Sequence, residues 1–188
     1  MKNLDGLLRS LAGVSSDVAL TIAGPLGELD HWDRCLELIG RLPRHVSVEI
    51  HGPVRGDEVI AFLSTFDLFA LPTLGENFGH VILEALLAGT PVIVGFNSPW
   101  QIIEHEGAGW ICDPSHPEEL TTLIDRFARL GPAERGAMRA AAARTGQGVV
   151  TDDGRTADNV RMFMGCASRR RLHRDSPDQM TEKEHSSL

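Results

Sequence analysis

Leu68-Phe69-Ala70-Leu71-Pro72-Thr73-Leu74-Gly75-Glu76-Asn77-Phe78-Gly79-His80-Val81-Ile82-Leu83-Glu84-Ala85-Leu86-Leu87-Ala88-Gly89-Thr90-Pro91-Val92-Ile93-Val94 is the stretch on which the fold turns. Its first four residues form a continuous apolar run closed by Pro72, the pattern of a strand buried on both faces of a parallel sheet. After a loop with two glycines and Glu76, an almost wholly apolar segment follows with one charge, Glu84, in its middle. That segment reads as a helix starting near Asn77, a residue whose side chain can cap a helix. The amides of Phe78, Gly79 and His80 would then point outward, where they attract anions and oxygen-rich ligands. Glu84 lies four residues beyond His80 and shares its helical face. A carboxylate among so many apolar neighbours needs hydrogen-bond donors, from the protein or from ligand hydroxyls. Pro91 to Val94 is a second buried strand.

Outward from this centre the same alternation recurs. Leu4, Leu7, Leu8 and Leu11 recur at helical spacing and Gly13 stops them. Val18 to Ala23 is a strand ended by Gly24-Pro25, and Asp30 to Ile39 a helix with Trp32, Leu36 and Ile39 on its inner side. Val46 to His51 is a strand with Gly52-Pro53-Val54 as its exit, followed by a helix that Asp57 is placed to cap. Strands alternating with helices favour βαβ units and a parallel sheet. All exit loops then fall on one edge, so Gly24-Pro25, Gly52-Pro53-Val54, Gly75-Glu76 and Phe96-Asn97-Ser98 converge. Past that edge, Pro99 to Glu104 is a short helix with Trp100 and Ile103 inward, and Gly107 to Cys112 a turn into a short strand. Pro117 to Leu130 is an amphipathic helix and Ala133 to Arg144 an alanine-rich one. Gly146 to Gly154 reads as loop and Thr156 to Cys166 as a last helix. The domain thus spans residues 1–166, and residues 167–188, basic then polar, form a disordered tail.

Composition narrows the function. At 188 residues, with a net charge of -8, the chain suits one sizeable core and disfavours nucleic-acid binding through phosphate neutralisation. No apolar run is long enough to cross a bilayer, which makes the cytoplasm the default location. Cys35, Cys112 and Cys166 are scattered and odd in number, against a disulfide framework or a zinc site. Neither a dinucleotide glycine fingerprint nor a lysine-containing phosphate loop is present.

Gly75-Glu76-Asn77-Phe78-Gly79, continued through Glu84-Ala85-Leu86-Leu87-Ala88-Gly89-Thr90-Pro91-Val92-Ile93, resembles the signature of the retaining glycosyltransferases of family 4. The resemblance implies the carboxyl-terminal, donor-binding half of a GT-B fold, a Rossmann-like parallel sheet with helices on both faces. It extends from Lys2 to about Leu130 and more weakly to Cys166. It implies a hexosyl group transferred from a nucleotide diphosphate sugar with retention of configuration, without a metal or other cofactor. Glu76 resembles the glutamate beside the donor sugar, and Asn77, Phe78 and Gly79 would hold sugar hydroxyls or the diphosphate through their amides. Glu84 resembles the glutamate that accepts hydrogen bonds from the ribose. Val54 matches a position contacting the base, Gly24 lies in the loop near the nucleotide, and Lys2 resembles the lysine that neutralises the departing diphosphate. The same resemblance places the domain's first strand, an arginine ahead of that lysine and the whole amino-terminal, acceptor-binding domain outside this chain. An exposed sheet edge would follow, covered by weak homo-oligomerisation or by the tail. Two functions therefore stand side by side: a transferase, and a truncated, non-catalytic module that binds a nucleotide sugar or a partner domain.

Overall fold

The computed structural model of the protein describes residues 2–25, 27–75 and 77–152. The elements run α1 (Leu4–Leu11), β1 (Val18–Ala23), α2 (Leu29–Ile39), β2 (Val46–Gly52), α3 (Val59–Leu63), β3 (Phe69–Leu71), α4 (His80–Leu87), β4 (Val92–Gly95), α5 (Ile102–His105), β5 (Gly109–Cys112), α6 (Pro117–Ala128) and α7 (Pro132–Asp152). Every strand pairing is parallel. The expected alternation of strand and helix is therefore the observed one.

Strand β4 shows why the apolar runs read as they do. Val92, Ile93 and Val94 are each 0% exposed, because β4 lies between β3 and β5 with helices over both of its faces. Val92 and Val94 enter one core with Ile82 and Leu86 of α4, Ile103 of α5 and Ala142 of α7. Ile93 points the other way, into a second core with Leu7 and Leu11 of α1 and Leu120 and Ile124 of α6. Two-residue alternation thus feeds two cores, and each fully buried branched side chain contributes about 1.5–3 kcal/mol. The fold is a Rossmann-like α/β arrangement with helices on both faces, as expected.

The second core is pinned at its edge by Asp125. Its Oδ1 accepts from the Ser16 amide at 3.0 Å and its Oδ2 from the Ser15 hydroxyl at 2.6 Å, while the Ser15 amide lies 3.1 Å from both oxygens. These bonds, that of the Ser15 hydroxyl foremost, hold the Asp125 carboxyl down at about 2 and fasten α6 to the turn that enters β1.

Among the described residues β2 pairs with β1, β3 with β4 and β4 with β5, while β1 and β3 share no ladder. Three expectations need correction. Helix α7 runs through the region expected to be loop at Gly146. A Cβ there would lie 2.8 Å from the Leu87 amide nitrogen, so the glycine serves close packing of α7 on α4 and does not break the helix. In α2 the buried residue is Cys35, whereas Leu36 is 42% exposed. Helix α3 starts after Glu58, whose own side chain makes no capping hydrogen bond, and Asp57 meets the Arg55 guanidinium at 3.0 Å. The helix read at Thr156 to Cys166 and the tail at 167–188 lie outside the described residues.

Candidate functional site

The site is built from strand exits. At the end of β1 the chain passes into Gly24, whose amide donates to the Gly52 carbonyl at the end of β2 at 2.8 Å. Two exit loops are thereby joined, and Val54 sits half-buried just beyond. At the end of β3, the Pro72 carbonyl accepts from the side-chain amide of Asn3 at 3.1 Å. This bond brings the start of α1, and the exposed Lys2 beside it, to the beginning of the loop that leads to α4.

That loop is held from below and from the side. The Thr73 hydroxyl, on a residue 1% exposed, donates to the Gly75 carbonyl at 2.8 Å. Gly95, at the end of β4, packs so tightly on Thr73 that a Cβ would collide with its carbonyl. The Asn97 side-chain amide donates to the Leu74 carbonyl at 3.2 Å. The indole N–H of Trp100, a residue 3% exposed, donates to the Phe78 carbonyl, and the Phe78 ring rests between Trp100 and His80. The loop after β4 therefore grips both ends of the loop after β3. Within it, Ser98 Oγ is buried without a hydrogen-bond partner among the described residues.

Helix α4 begins later than the sequence suggested. Its N-cap is Gly79, in the left-handed region at φ 71, and not Asn77, which is exposed. Only glycine takes that conformation at little cost, and it lets the chain turn abruptly into the helix. The first-turn amides are consequently those of His80, Val81 and Ile82, with Ile82 already donating to the Gly79 carbonyl at 2.7 Å. Glu84 stands one turn further on, half-buried. Burial alone pushes its carboxyl above the usual glutamate range, and no described residue gives it a hydrogen bond or an ion pair. A half-buried acceptor behind a glycine-started helix suits a ligand that brings its own hydroxyl donors.

Of the expected site residues, Lys2 and Gly24 line one cavity of about 750 Å³, together with Pro25, Gly27, His31 and Pro72. Phe78, Gly79 and Glu84 belong to the neighbouring loop and helix α4, and Glu76 lies outside the described residues. Burial first, then the nearby Glu119 and Asp113, push the thiol of Cys112, at the end of β5, up to about 12. Sequence reasoning missed Asn3, whose side chain anchors the start of α1. It also took Trp100 for packing alone, although a buried indole N–H needs an acceptor, which was the signal available.

A parallel sheet with a glycine-started helix at a strand exit, covered by helices on both faces, has the arrangement of one half of a GT-B fold. The family model of the glycosyl transferases group 1 matches residues 1–145, and the chain belongs to that family. Among its relatives is an uncharacterised glycosyltransferase of Methanocaldococcus jannaschii, 31% identical over 66% of this chain and 32% of its own length. Another is the D-inositol 3-phosphate glycosyltransferase of Salinispora tropica, 30% identical over 74% of this chain and 32% of its own. The solved structure of HepE from Anabaena in complex with UDP is 26% identical at a TM-score of 0.71, covering 85% of this chain and 45% of that one. The chain thus spans about a third of the length of these curated relatives.

Proposed function

We propose that this chain is the donor-binding half of a retaining family 4 glycosyltransferase, which holds a nucleotide diphosphate sugar for transfer of its hexosyl group. The observation that carries the reading is Glu84, a half-buried carboxylate raised by desolvation and lacking any partner among the described residues. In this reading its oxygens accept the two ribose hydroxyls. The start of α4, with Asn77, Phe78 and Gly79 before it, holds the sugar hydroxyls or the diphosphate, and Glu76 stands beside the sugar. Lys2 offsets charge as the diphosphate departs, an electrostatic contribution to the transition state. Gly24 and Val54 frame the nucleotide and its base. HepE, solved with UDP, supports a uridine donor as the first to try.

Calorimetric titration with UDP-, GDP- and ADP-sugars tests the reading. One of them binds, and Glu84→Ala weakens it about 10- to 100-fold, the loss of two hydrogen bonds to a charged acceptor. Unchanged affinity in Glu84→Ala would remove the ribose assignment. Because the acceptor must be ionised, donor affinity falls as pH drops, and does so above the range of an ordinary glutamate.

A second reading is a nucleotide-sugar or partner-binding module without turnover. Closure of a crevice by a second domain excludes water and positions an acceptor, so turnover depends on one being supplied. A transfer assay with and without a separately supplied amino-terminal GT-B domain separates the two. Transfer only in its presence supports a split enzyme, and binding without transfer in both cases supports the module.

A further inference from the structure

The outer strands β5 and β2 differ in how they present their free edges. Strand β5 pairs only with β4, and β2 only with β1. In a parallel ladder the amide and carbonyl of one residue point the same way, so an edge strand turns alternate residues to its neighbour and to solvent. In β5 the Ala108 and Cys112 carbonyls accept from the Val92 and Phe96 amides, which turns Ile111 and Asp113 outward. Both outward amides are stopped. Ile111 donates to Glu104 Oε1 at 3.1 Å and Asp113 to Glu119 Oε2 at 2.8 Å. Pro114, next in the chain, has no amide to offer. A short edge covered by carboxylates resists pairing with another chain.

Strand β2 has no such guard among the described residues. The His45 carbonyl, just before it, accepts from the Val18 amide at 3.0 Å. Ser47, Glu49 and His51 therefore turn their backbone groups to β1, and Val46, Val48 and Ile50 turn theirs outward. Val46 donates its amide to the Pro43 carbonyl at 2.9 Å. No described hydrogen bond engages the amides of Val48 and Ile50 or the outward carbonyls. At seven residues β2 is longer than β5, and Ile50 stands 46% exposed on it.

We propose that the outer edge of β2 pairs antiparallel with β2 of a second copy of this chain, across a two-fold axis at Val48, to give a weak homodimer. The edge is complementary to itself in that register. With Val48 opposite Val48, Val46 falls opposite Ile50, and every outward residue finds a partner. The two Val48 residues exchange amide-to-carbonyl bonds, and each Ile50 amide donates to the Val46 carbonyl of the second copy. Side chains agree with the backbone. Val46, Val48 and Ile50 share one side of the strand, so Ile50 packs beside Val46 of the second copy. On the other side the Glu49 carboxylate meets the Ser47 hydroxyl, and His51 falls opposite His45, whose ring is turned to the Val14 carbonyl at 2.9 Å. Neighbouring registers are worse. An axis at Glu49 sets two carboxylates face to face, and an axis at Ser47 leaves Ile50 opposite Arg44, in the turn before the strand. Edge pairing alone buries little surface, which makes the dimer weak. This pairing is independent of the donor reading of Glu84.

The test uses the full 188-residue chain. Sedimentation velocity over about a hundredfold range of concentration is expected to show a reversible monomer–dimer equilibrium. Amide exchange at Val48 and Ile50 should slow by roughly tenfold or more as concentration rises, while Ser47 and Glu49, already bonded to β1, change far less. Val48→Pro removes an outward amide and leaves the ladder to β1 in place, and should weaken the dimer by about tenfold or more. Val48→Lys and Val48→Glu each set like charges on the axis and should be monomeric alone, whereas their equimolar mixture should dimerise. That rescue is particular to an antiparallel pair with Val48 on the axis. A chain that stays monomeric over the whole range would overturn the proposal. So would a dimer that Val48→Pro leaves intact, folded Lys and Glu variants that fail to associate when mixed, or Val48 and Ile50 amides already protected at the highest dilution.

Discussion

At the scale of single residues, Glu84 and Asp125 are carboxylates with opposite assignments, and pH separates them. Desolvation raises the Glu84 carboxyl, so its charge opposes folding at neutral pH and that penalty is relieved as pH falls through its raised pKa. Glu84→Gln is therefore expected to raise the melting temperature at pH 7 while weakening nucleotide-sugar binding, a pairing that thermal scans and titration on one preparation will check. Asp125 behaves in reverse. Its folded pKa of about 2 lies below the ordinary aspartate value, so it stabilises the fold above about pH 4 and that contribution is lost as pH falls towards 2. Asp125→Asn should cost about 2 kcal/mol near neutral pH and flatten the acid limb of the stability curve, measured by urea unfolding at several pH values. The two residues also differ in legibility. Glu84 stood out as a lone charge in an apolar helix, whereas nothing local distinguishes Asp125 from other acids on α6, because its partners Ser15 and Ser16 are about 110 positions away.

At the scale of elements, periodicity located most helices and strands to within a residue or two, and failed where a glycine had more than one meaning. Gly146 and Gly148 both read as breakers, yet both lie inside α7. A Cβ at Gly146 would press on the Leu86 and Leu87 backbone, at 2.9 and 2.8 Å, whereas one at Gly148 would meet nothing within 4 Å. Gly146→Ala should thus destabilise by about 1–3 kcal/mol through overpacking. Gly148→Ala should stabilise by about 0.5–1 kcal/mol through helix propensity and the entropy of the unfolded chain. Paired denaturant titrations read both signs. The start of α4 is a related case: Asn77 has the chemistry of a cap, but Gly79 has the conformation, and the turn demanded by the loop over Thr73 decided between them. Such demands come from packing at a distance and leave no local pattern.

For the whole molecule, the parallel α/β class was readable from alternation alone, since each apolar run was of strand length and each intervening segment helical. The convergence of strand exits was readable for the same reason, and the Gly24 to Gly52 and Asn97 to Leu74 bonds are its physical form. The split between β1 and β3 was less legible, because a sequence reports which segments are strands and not which of their edges are filled. The split has a consequence for how the molecule breathes. Among the described residues, strands β1 and β2, with α2 beside them, are joined to the rest through the helical contacts of α1 and α6 and not through a ladder. They should open as a separate cooperative unit, with amide exchange in β1 and β2 at a lower opening free energy than in β4, by about 2 kcal/mol or more in native-state exchange. Equal protection of all five strands would contradict this. A protease acting under native conditions would then find its first cut in the segment from Ser15 to Gly52, leaving the three-stranded half as the surviving fragment.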